Sequence, residues 1–280
     1  MSDLWKRFKT NRGAVAGLLF LAAIALIAAL ATWLAPADPW RIVGRPMLGP
    51  FQNWSHPLGT DTLGRDVLSG LIYGARVSLM VGLVCMIATA AIGIVLGALA
   101  GYYAGRIDDL LMRFTEFFQV LPSFVFAVVL VAIFEPSITS IVVAIVIVSW
   151  PPVARLVRSE FLSLRSREFV EASVTVGQSN AWIIFREILP NAVAPVVALS
   201  TLMVASAILL ESSLSFLGLG DPNLMTWGYM IGTSRAAIRV AWWMSVFPGI
   251  ALVATVLAIN SVGEGLSRAL NVRLSGGRAS

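Results

Sequence analysis

VSLMVGLVCMIATAAIGIVLGALAGYYAG, residues 77–105, carries no charged side chain from end to end. A helix needs about 20 apolar residues to cross roughly 30 Å of hydrocarbon, so this stretch is long enough to span a bilayer. Five more charge-free runs lie around it: Ala14–Ala37, Phe117–Phe134, Pro136–Ala154, Ile188–Leu210 and Val240–Gly263. Six spanning helices are therefore expected, making the chain an all-α integral membrane protein. A β-barrel would show short segments alternating polar and apolar residues, and none of the six runs does. The composition agrees: 58% of residues are hydrophobic and 12% charged, with a mean hydropathy of +0.85, values foreign to a soluble domain.

Inside the quoted stretch Gly93, Gly97, Gly101 and Gly105 recur every fourth residue. Small residues at that spacing let helix backbones approach closely where lipid removes the hydrophobic drive between helices. The repeat reads as a packing seam, within the chain or against another membrane subunit. Cys85, the single cysteine, can form no internal disulfide. His56, the single histidine, excludes a His-based metal cluster.

The first apolar run follows a basic head (Lys6, Arg7, Lys9, Arg12). It is longer than the 7–15 residues of a signal sequence's apolar region, so a retained first helix is expected. Orientation follows from Lys and Arg, which cytoplasmic loops collect. With the N-terminus inside, Lys6, Arg7, Lys9, Arg12, Arg106, Arg113, Arg155, Arg158, Arg165, Arg167, Arg186, Arg268, Arg273 and Arg278 fall on the cytoplasmic side; Arg41, Arg45, Arg65, Arg76, Arg235 and Arg239 fall outside. Both termini are then cytoplasmic. This bias accounts for the pI near 10.0 and argues against nucleic-acid binding, because the basic residues are dispersed among spans.

The expected order is a cytoplasmic segment 1–13, a first span 14–36, an external linker 37–76, a core 77–270 with five further spans, and a cytoplasmic tail 271–280. The linker ends in HPLGTDTLGRDVLSGLIYGARVSL (56–79). Thr60 or Asp61 could cap a helix starting near Leu63. Leu63, Val67, Leu71 and Ile72 would share one face, with Arg65, Asp66 and Ser69 on the other. Such a helix either lies in the membrane interface or offers a surface to an external partner.

Polar residues within the spans mark candidate pathway positions. Arg113, Glu116 and Gln119 stand at helical spacing near the inner surface, where Arg113 and Glu116 could pair. Pro122 should kink that helix, and Pro151 and Pro152 the next, either as static bends or where a helix lines a cavity. Glu211, followed by Ser212, Ser213 and Ser215, lies late in the fifth span; it either faces a pathway or snorkels to the surface. Trp227, Tyr229, Trp242 and Trp243 suggest an interfacial aromatic belt. Asn260, Glu264 and Arg268 close the last span, with Glu264 and Arg268 able to pair at i, i+4.

REFVEASVTVGQSNAWIIFREILP, residues 167–190, is the one long segment of the second half with charge of both signs. Glu168–Val176 should be a short helix stopped by Gly177. Ser179 or Asn180 can cap a second piece carrying Trp182, Ile183 and Phe185, and Pro190 suits the start of the fifth span. A merely solvated loop has no use for Phe169, Val170, Trp182 and Phe185 among its charges. A docking surface for a cytoplasmic partner, within a loop 159–190, fits better.

Glu171-Ala172-Ser173, then Gly177, then Ile188-Leu189-Pro190 resembles the EAA signature of permease subunits of ATP-binding-cassette importers. Two departures are visible: Ser173 replaces a second Ala, and Glu187 stands where an Ile is usual. LGTDTLGRDVLSGLIYGARVSL, AGYYAGRIDDLLMR, ESSLSFLGLGDPNLMTWGYMI and WWMSVFPGIALVATVLAINSVGEGLSRALNVR are similar to the C-type permease of the dipeptide, oligopeptide and nickel uptake group. The resemblance covers nearly the whole chain and implies a type I importer permease fold in the cell inner membrane. It implies that Glu168, Glu171, Ala172, Ser173, Gly177, Arg186, Leu189 and Pro190 couple the permease to an ATPase. Implied partners are a homologous permease subunit, two ATP-binding subunits and an extracytoplasmic substrate-binding protein.

No phosphate-binding Gly-x-x-x-x-Gly-Lys-Ser/Thr loop is present, so ATP and Mg are expected on partner subunits and no cofactor on this chain. No catalytic triad can be assembled. An intramembrane hydrolase would need paired carboxylates, yet Glu116 and Glu211 fall near opposite faces. The chain reads as a non-enzymatic half-channel, with Glu116, Gln119, Pro122, Glu211 and Ser212 as pathway or gating candidates. Peptides are the expected cargo, with nickel complexes, glutathione and opines as alternatives.

Overall fold

The structure is a computed structural model and describes residues 2–276; Arg278 lies outside the described residues. The short α1 (Ser2–Thr10) precedes α2 (Arg12–Ala29) and the one-turn α3 (Ala31–Leu34). After the linker come α4 (Val67–Tyr103), α5 (Gly105–Val120), α6 (Ser123–Phe134), α7 (Ile138–Arg165) and α8 (Glu168–Thr175). The chain ends with α9 (Asn180–Leu219), α10 (Trp227–Ser234) and α11 (Trp243–Gly276). Helices α2, α4, α7, α9 and α11 are each long and apolar enough to cross a membrane. The expected third span is instead two helices, α5 and α6, bent by 83° at the break between them, which make a sixth crossing only if the pair counts as one span. Among the described residues there is no strand, only two isolated bridges in the linker, Ile42 with Arg65 and Thr60 with Asp66.

The linker helix expected from Leu63 is not a separate element. Leu63 sits in a turn and is half exposed, and α4 begins at Val67 and continues unbroken to Tyr103. Its cap is Asp66, whose Oδ2 accepts from the Ser69 backbone N–H and Oγ, both at 2.7 Å, while Oδ1 meets His56 Nδ1 at 3.1 Å. Asp66 and Ser69 are buried, the reverse of the polar face assigned to them, because the linker folds back over them. The Ala37 N–H donates to Ser69 Oγ, and Thr60 Oγ1 donates to the Arg45 carbonyl. Packing of the linker against the helix start therefore overrides its amphipathic pattern.

Gly93, Gly97 and Gly101 form the seam between α4 and α7, the most extensive helix pair in the fold, whereas Gly105 opens α5 with nothing within 4 Å of a Cβ built on it. A Cβ on Gly93 would stand 2.5 Å from Val153 Cβ, and one on Gly101 2.5 Å from Phe161 Cβ; at Gly97 it would meet the Ala154 carbonyl and lie 2.7 Å from Val157 Cβ. Pro151 and Pro152 lie inside α7, which continues through both.

Helix α9 sits centrally, against α4, α7 and α11. Helix α11 packs on α2, and Phe8 of α1 is buried with Ala14 and Ala269, so α1 and the late part of α11 meet on one side of the bundle. Two of the residues expected in an aromatic belt are core anchors instead. Trp227 is 1% exposed and donates Nε1–H to the Leu71 carbonyl; Trp243 donates to the Thr60 carbonyl at 3.2 Å. Each fixes a neighbouring element through a donor that burial would otherwise leave unpaired.

Candidate functional site

Helix α8 ends in a Schellman motif centred on Gly177, whose φ is +81°. The Gly177 N–H donates to the Val174 carbonyl at 3.0 Å and the Gln178 N–H to the Ser173 carbonyl at 3.1 Å. Ser179 then caps α9, accepting from the Trp182 N–H. Helix α9 does not begin at Pro190. A wide π turn over Ile183–Ile188, in which the Leu189 N–H reaches back to the Ile184 carbonyl, inserts one extra residue ahead of the proline. That turn, together with Asn191 Nδ2 donating to the Glu187 carbonyl at 2.7 Å, lets the helix run through Pro190.

The segment is pegged down by Val170, Ile183, Ile184 and Ile188, all buried against Tyr102 of α4, Val153, Val157 and Phe161 of α7, and Ala192 and Val196 of α9. Tyr102 Oη also donates to Asn180 Oδ1 at 2.9 Å. What remains outward is a mixed face. Glu168, Glu171, Ala172, Gly177, Arg186 and Pro190 are exposed, with Phe169, Val174, Val176 and Phe185 among them, while Ser173 and Leu189 are half-buried. Large apolar side chains held outward on a pegged platform, interleaved with charge, have the make-up of an interface patch.

Pro122 stands at the 83° bend, where Leu121 and Pro122 are extended. Phe118 fills the inside of the angle, 5.3 Å from the Trp150 ring of α7 and 6.2 Å from Phe126 of α6. Glu116 meets Arg155 of α7 at 3.9 Å rather than Arg113, and both partners are more than half exposed, so this pair adds little stability. Gln119 is exposed. A stronger clamp lies at the start of α5. Arg158 of α7 grips Asp108 in a two-pronged ion pair, Nε to Oδ1 at 2.5 Å and a terminal nitrogen to Oδ2 at 2.6 Å. Nothing in the local sequence pairs two residues fifty positions apart; the available signal was a basic residue placed beyond the fourth charge-free run. Asp108→Ala is expected to destabilise the chain by about 2 kcal/mol, and a double-mutant cycle with Arg158→Ala should be non-additive. Additive losses in thermal melting would contradict the clamp.

Glu211 and Ser212 lie at the other end of the bundle. Glu211 is 1% exposed, so it neither snorkels nor faces an open cavity within this chain. Its Oε1 accepts from Ser215 Oγ and Thr226 Oγ1, both at 2.8 Å, and its Oε2 from Ser212 Oγ at 3.3 Å. Thr226 also caps α10, accepting from the Tyr229 N–H, and the Trp227 N–H donates to Ser78 Oγ of α4. The carboxylate thus ties α9 to α10. Sequence reasoning missed Thr226 and Ser78, whose hydroxyls have no distinguishing neighbours in the chain. Among the described residues no group of histidine, cysteine and carboxylate side chains could hold a metal ion.

Five apolar helices long enough to cross a membrane, a bent pair beside them and a mixed outward platform between α7 and α9 describe an all-helical integral membrane protein. The chain belongs to the family of binding-protein-dependent transport system inner membrane components, whose sequence profile matches residues 93–276; residues 1–55 match the N-terminal transmembrane domain of oligopeptide transport permease C. It is 41% identical to the di/tripeptide transport system permease protein DppC of Pseudomonas aeruginosa, over 98% of this chain and 92% of that one. It is 36% identical to the dipeptide transport system permease protein DppC of Haemophilus influenzae, over 98% and 95%, and 37% identical to the glutathione transport system permease protein GsiD of Escherichia coli O157:H7, over 98% and 91%. Among solved structures, the MetNI methionine ABC transporter in inward facing conformations is similar at TM-score 0.58 and 17% identity, covering 71% of this chain and 95% of that chain. The fold is therefore that of a type I importer permease, and the chain is a multi-pass inner membrane protein.

Proposed function

We propose that this chain is one permease half of a binding-protein-dependent ATP-binding-cassette importer that carries di- or oligopeptides. The observation that carries the coupling reading is the outward face of Glu168, Phe169, Glu171 and Phe185, held by four buried pegs between α7 and α9. An ATPase seated on this platform would move α7 and α9 together, because Val170, Ile183 and Ile188 leave the platform no independent freedom. ATP and Mg belong to that partner, and a second, related permease completes the pathway. The bias of Lys and Arg supports a cytoplasmic platform and cytoplasmic termini. The similarity to dipeptide permeases over nearly the full chain supports peptides as cargo; a glutathione importer is the second reading, supported by its 37% identical relative.

The test is a substitution at Gly177. No atom lies within 4 Å of a Cβ built there, so a larger side chain meets no clash, but its φ of +81° burdens any L-residue, by about 1–2 kcal/mol and more for a β-branched one. Gly177→Val should therefore insert and fold normally while misdirecting Ser179–Trp182, reducing uptake of a labelled dipeptide in cells at least tenfold. Uptake at the wild-type rate would remove the coupling assignment. Wild-type cells lacking dipeptide uptake but accumulating glutathione would decide for the second cargo.

A further inference from the structure

Where α1, α2 and α11 meet, an open recess of about 670 Å³ is lined by Arg7, Thr10, Asn11, Arg12, Gly13, Gly265, Arg268 and Ala269. Three guanidinium groups from three different helices line it, and no carboxylate does. Arg268 is paired with Glu264 at 2.5 Å, and no described ion pair involves Arg7 or Arg12. Three arginines around one recess leave it with an excess of positive charge, which favours an anion there.

The depth of the recess identifies the anion. Arg12 is the first residue of α2 and is followed by the charge-free run 13–37; Gly265 and Arg268 stand just beyond the last charge-free run, which ends at Gly263. Two neighbouring spans thus independently place the recess at the end of their hydrocarbon-crossing segments, the level of lipid phosphates. Helix α1 is fixed there by Phe8, buried against Ala14 and Ala269, and presents Trp5, half exposed and stacked on Phe8, with Lys9 over its ring at 5.1 Å. An amphipathic indole beside basic side chains is the composition of a helix seated among headgroups.

We propose that this recess binds the phosphate of an anionic phospholipid, held by Arg7, Arg12 and Arg268. The site is separate from the coupling platform and from cargo, and stands whether or not the peptide reading does. Bound lipid bridges α1 and α2 to α11 and holds the first span against the last.

The test is native mass spectrometry of the full chain purified with its accompanying subunits and reconstituted in nanodiscs of phosphatidylglycerol and phosphatidylcholine. Wild type should retain phosphatidylglycerol selectively. Each of Arg7→Gln, Arg12→Gln and Arg268→Gln should reduce that retention roughly fivefold, whereas Arg41→Gln and Arg239→Gln, exposed toward the opposite end, should not. The triple Arg→Lys variant, which keeps the charge, should retain lipid and so separates charge from folding. Equal retention in the glutamine variants overturns the proposal, as does equal retention of phosphatidylcholine. Displacement of the lipid by excess inorganic phosphate would assign a free-anion site instead, and retention by the chain purified alone but not by the complex would assign the recess to a subunit interface.

Discussion

Gly97→Leu should leave no stably folded permease. A single Cβ at this position meets the Ala154 carbonyl oxygen and stands 2.7 Å from Val157 Cβ, and Ala154 and Val157 are wholly buried on the facing helix. Backbone on one side and a β-branched side chain on the other can give way only if α4 and α7 separate. Separation would open the neighbouring contacts of Gly93 with Val153 and Gly101 with Phe161 along the same seam. Overpacking a filled core costs about 1–3 kcal/mol at an ordinary site and more where backbone must move. Close approach is also what holds helices together in lipid, so about 3 kcal/mol or more is expected. That is a large share of the 5–15 kcal/mol a typical fold possesses. Gly97→Ala should be intermediate. Gly249→Leu is the control, since nothing lies within 4 Å of its Cβ, and it should melt like wild type. The readouts are the monodisperse fraction after detergent extraction and the melting temperature; a Gly97→Leu protein with wild-type melting would sink the assignment of this seam.

That seam also shows what was legible beforehand. The charge-free runs and the four-residue glycine spacing are local properties, and local properties dictate the apolar helices and their small-residue face; the 83° break between α5 and α6 inside the third run is less local. The stop at Gly177 was legible for the same reason: a left-handed helix end needs a glycine whatever surrounds it. Which partner the glycines face was not, because both α7 and a second subunit could satisfy the same spacing. The errors share a cause. Asp66 and Ser69 alternate with apolar residues as a solvated face would, and only the return of the linker over them, through His56 and Ala37, makes them interior. Trp227 and Trp243 have the composition of an interfacial belt, but their indole donors are satisfied by the carbonyls of Leu71 and Thr60, more than 150 positions away. Pro190 signals a helix start in isolation; the wide turn over Ile183–Ile188 that admits it depends on the buried isoleucines packing against α7. Polar and proline positions inside a membrane bundle take their meaning from elements distant in the chain, so a sequence marks them without saying what they do.

Glu211 is the sharpest instance, and its removal carries the second large effect. A carboxylate buried to 1% exposure persists in a membrane span only if its oxygens are satisfied. Ser212, Ser215 and Thr226 supply three donors to it. Truncation to alanine leaves those hydroxyls facing a void and frees Thr226 from the chain of contacts that orients α10. Because Gly228 and Gly232 of α10 pack directly on Ser212 and Ser215, loss of the carboxylate should loosen the whole α9–α10 contact, at a cost of about 3–5 kcal/mol. Glu211→Gln keeps the shape and one acceptor oxygen, and the hydroxyls can turn to accept from its amide, so about 1 kcal/mol is expected. The local nature of the loss can be read with a Cys85→Ala background carrying Ser234→Cys, a position of 0% exposure on α10. Maleimide labelling of Ser234→Cys should be slow with Glu211 or Gln and rise at least tenfold with Ala, alongside a drop in melting temperature. Unchanged labelling and melting in the alanine variant would show that α10 is held by Trp227 and its partners Ser78 and Leu71 alone, and the carboxylate would then have to be explained by a role outside this chain's own packing.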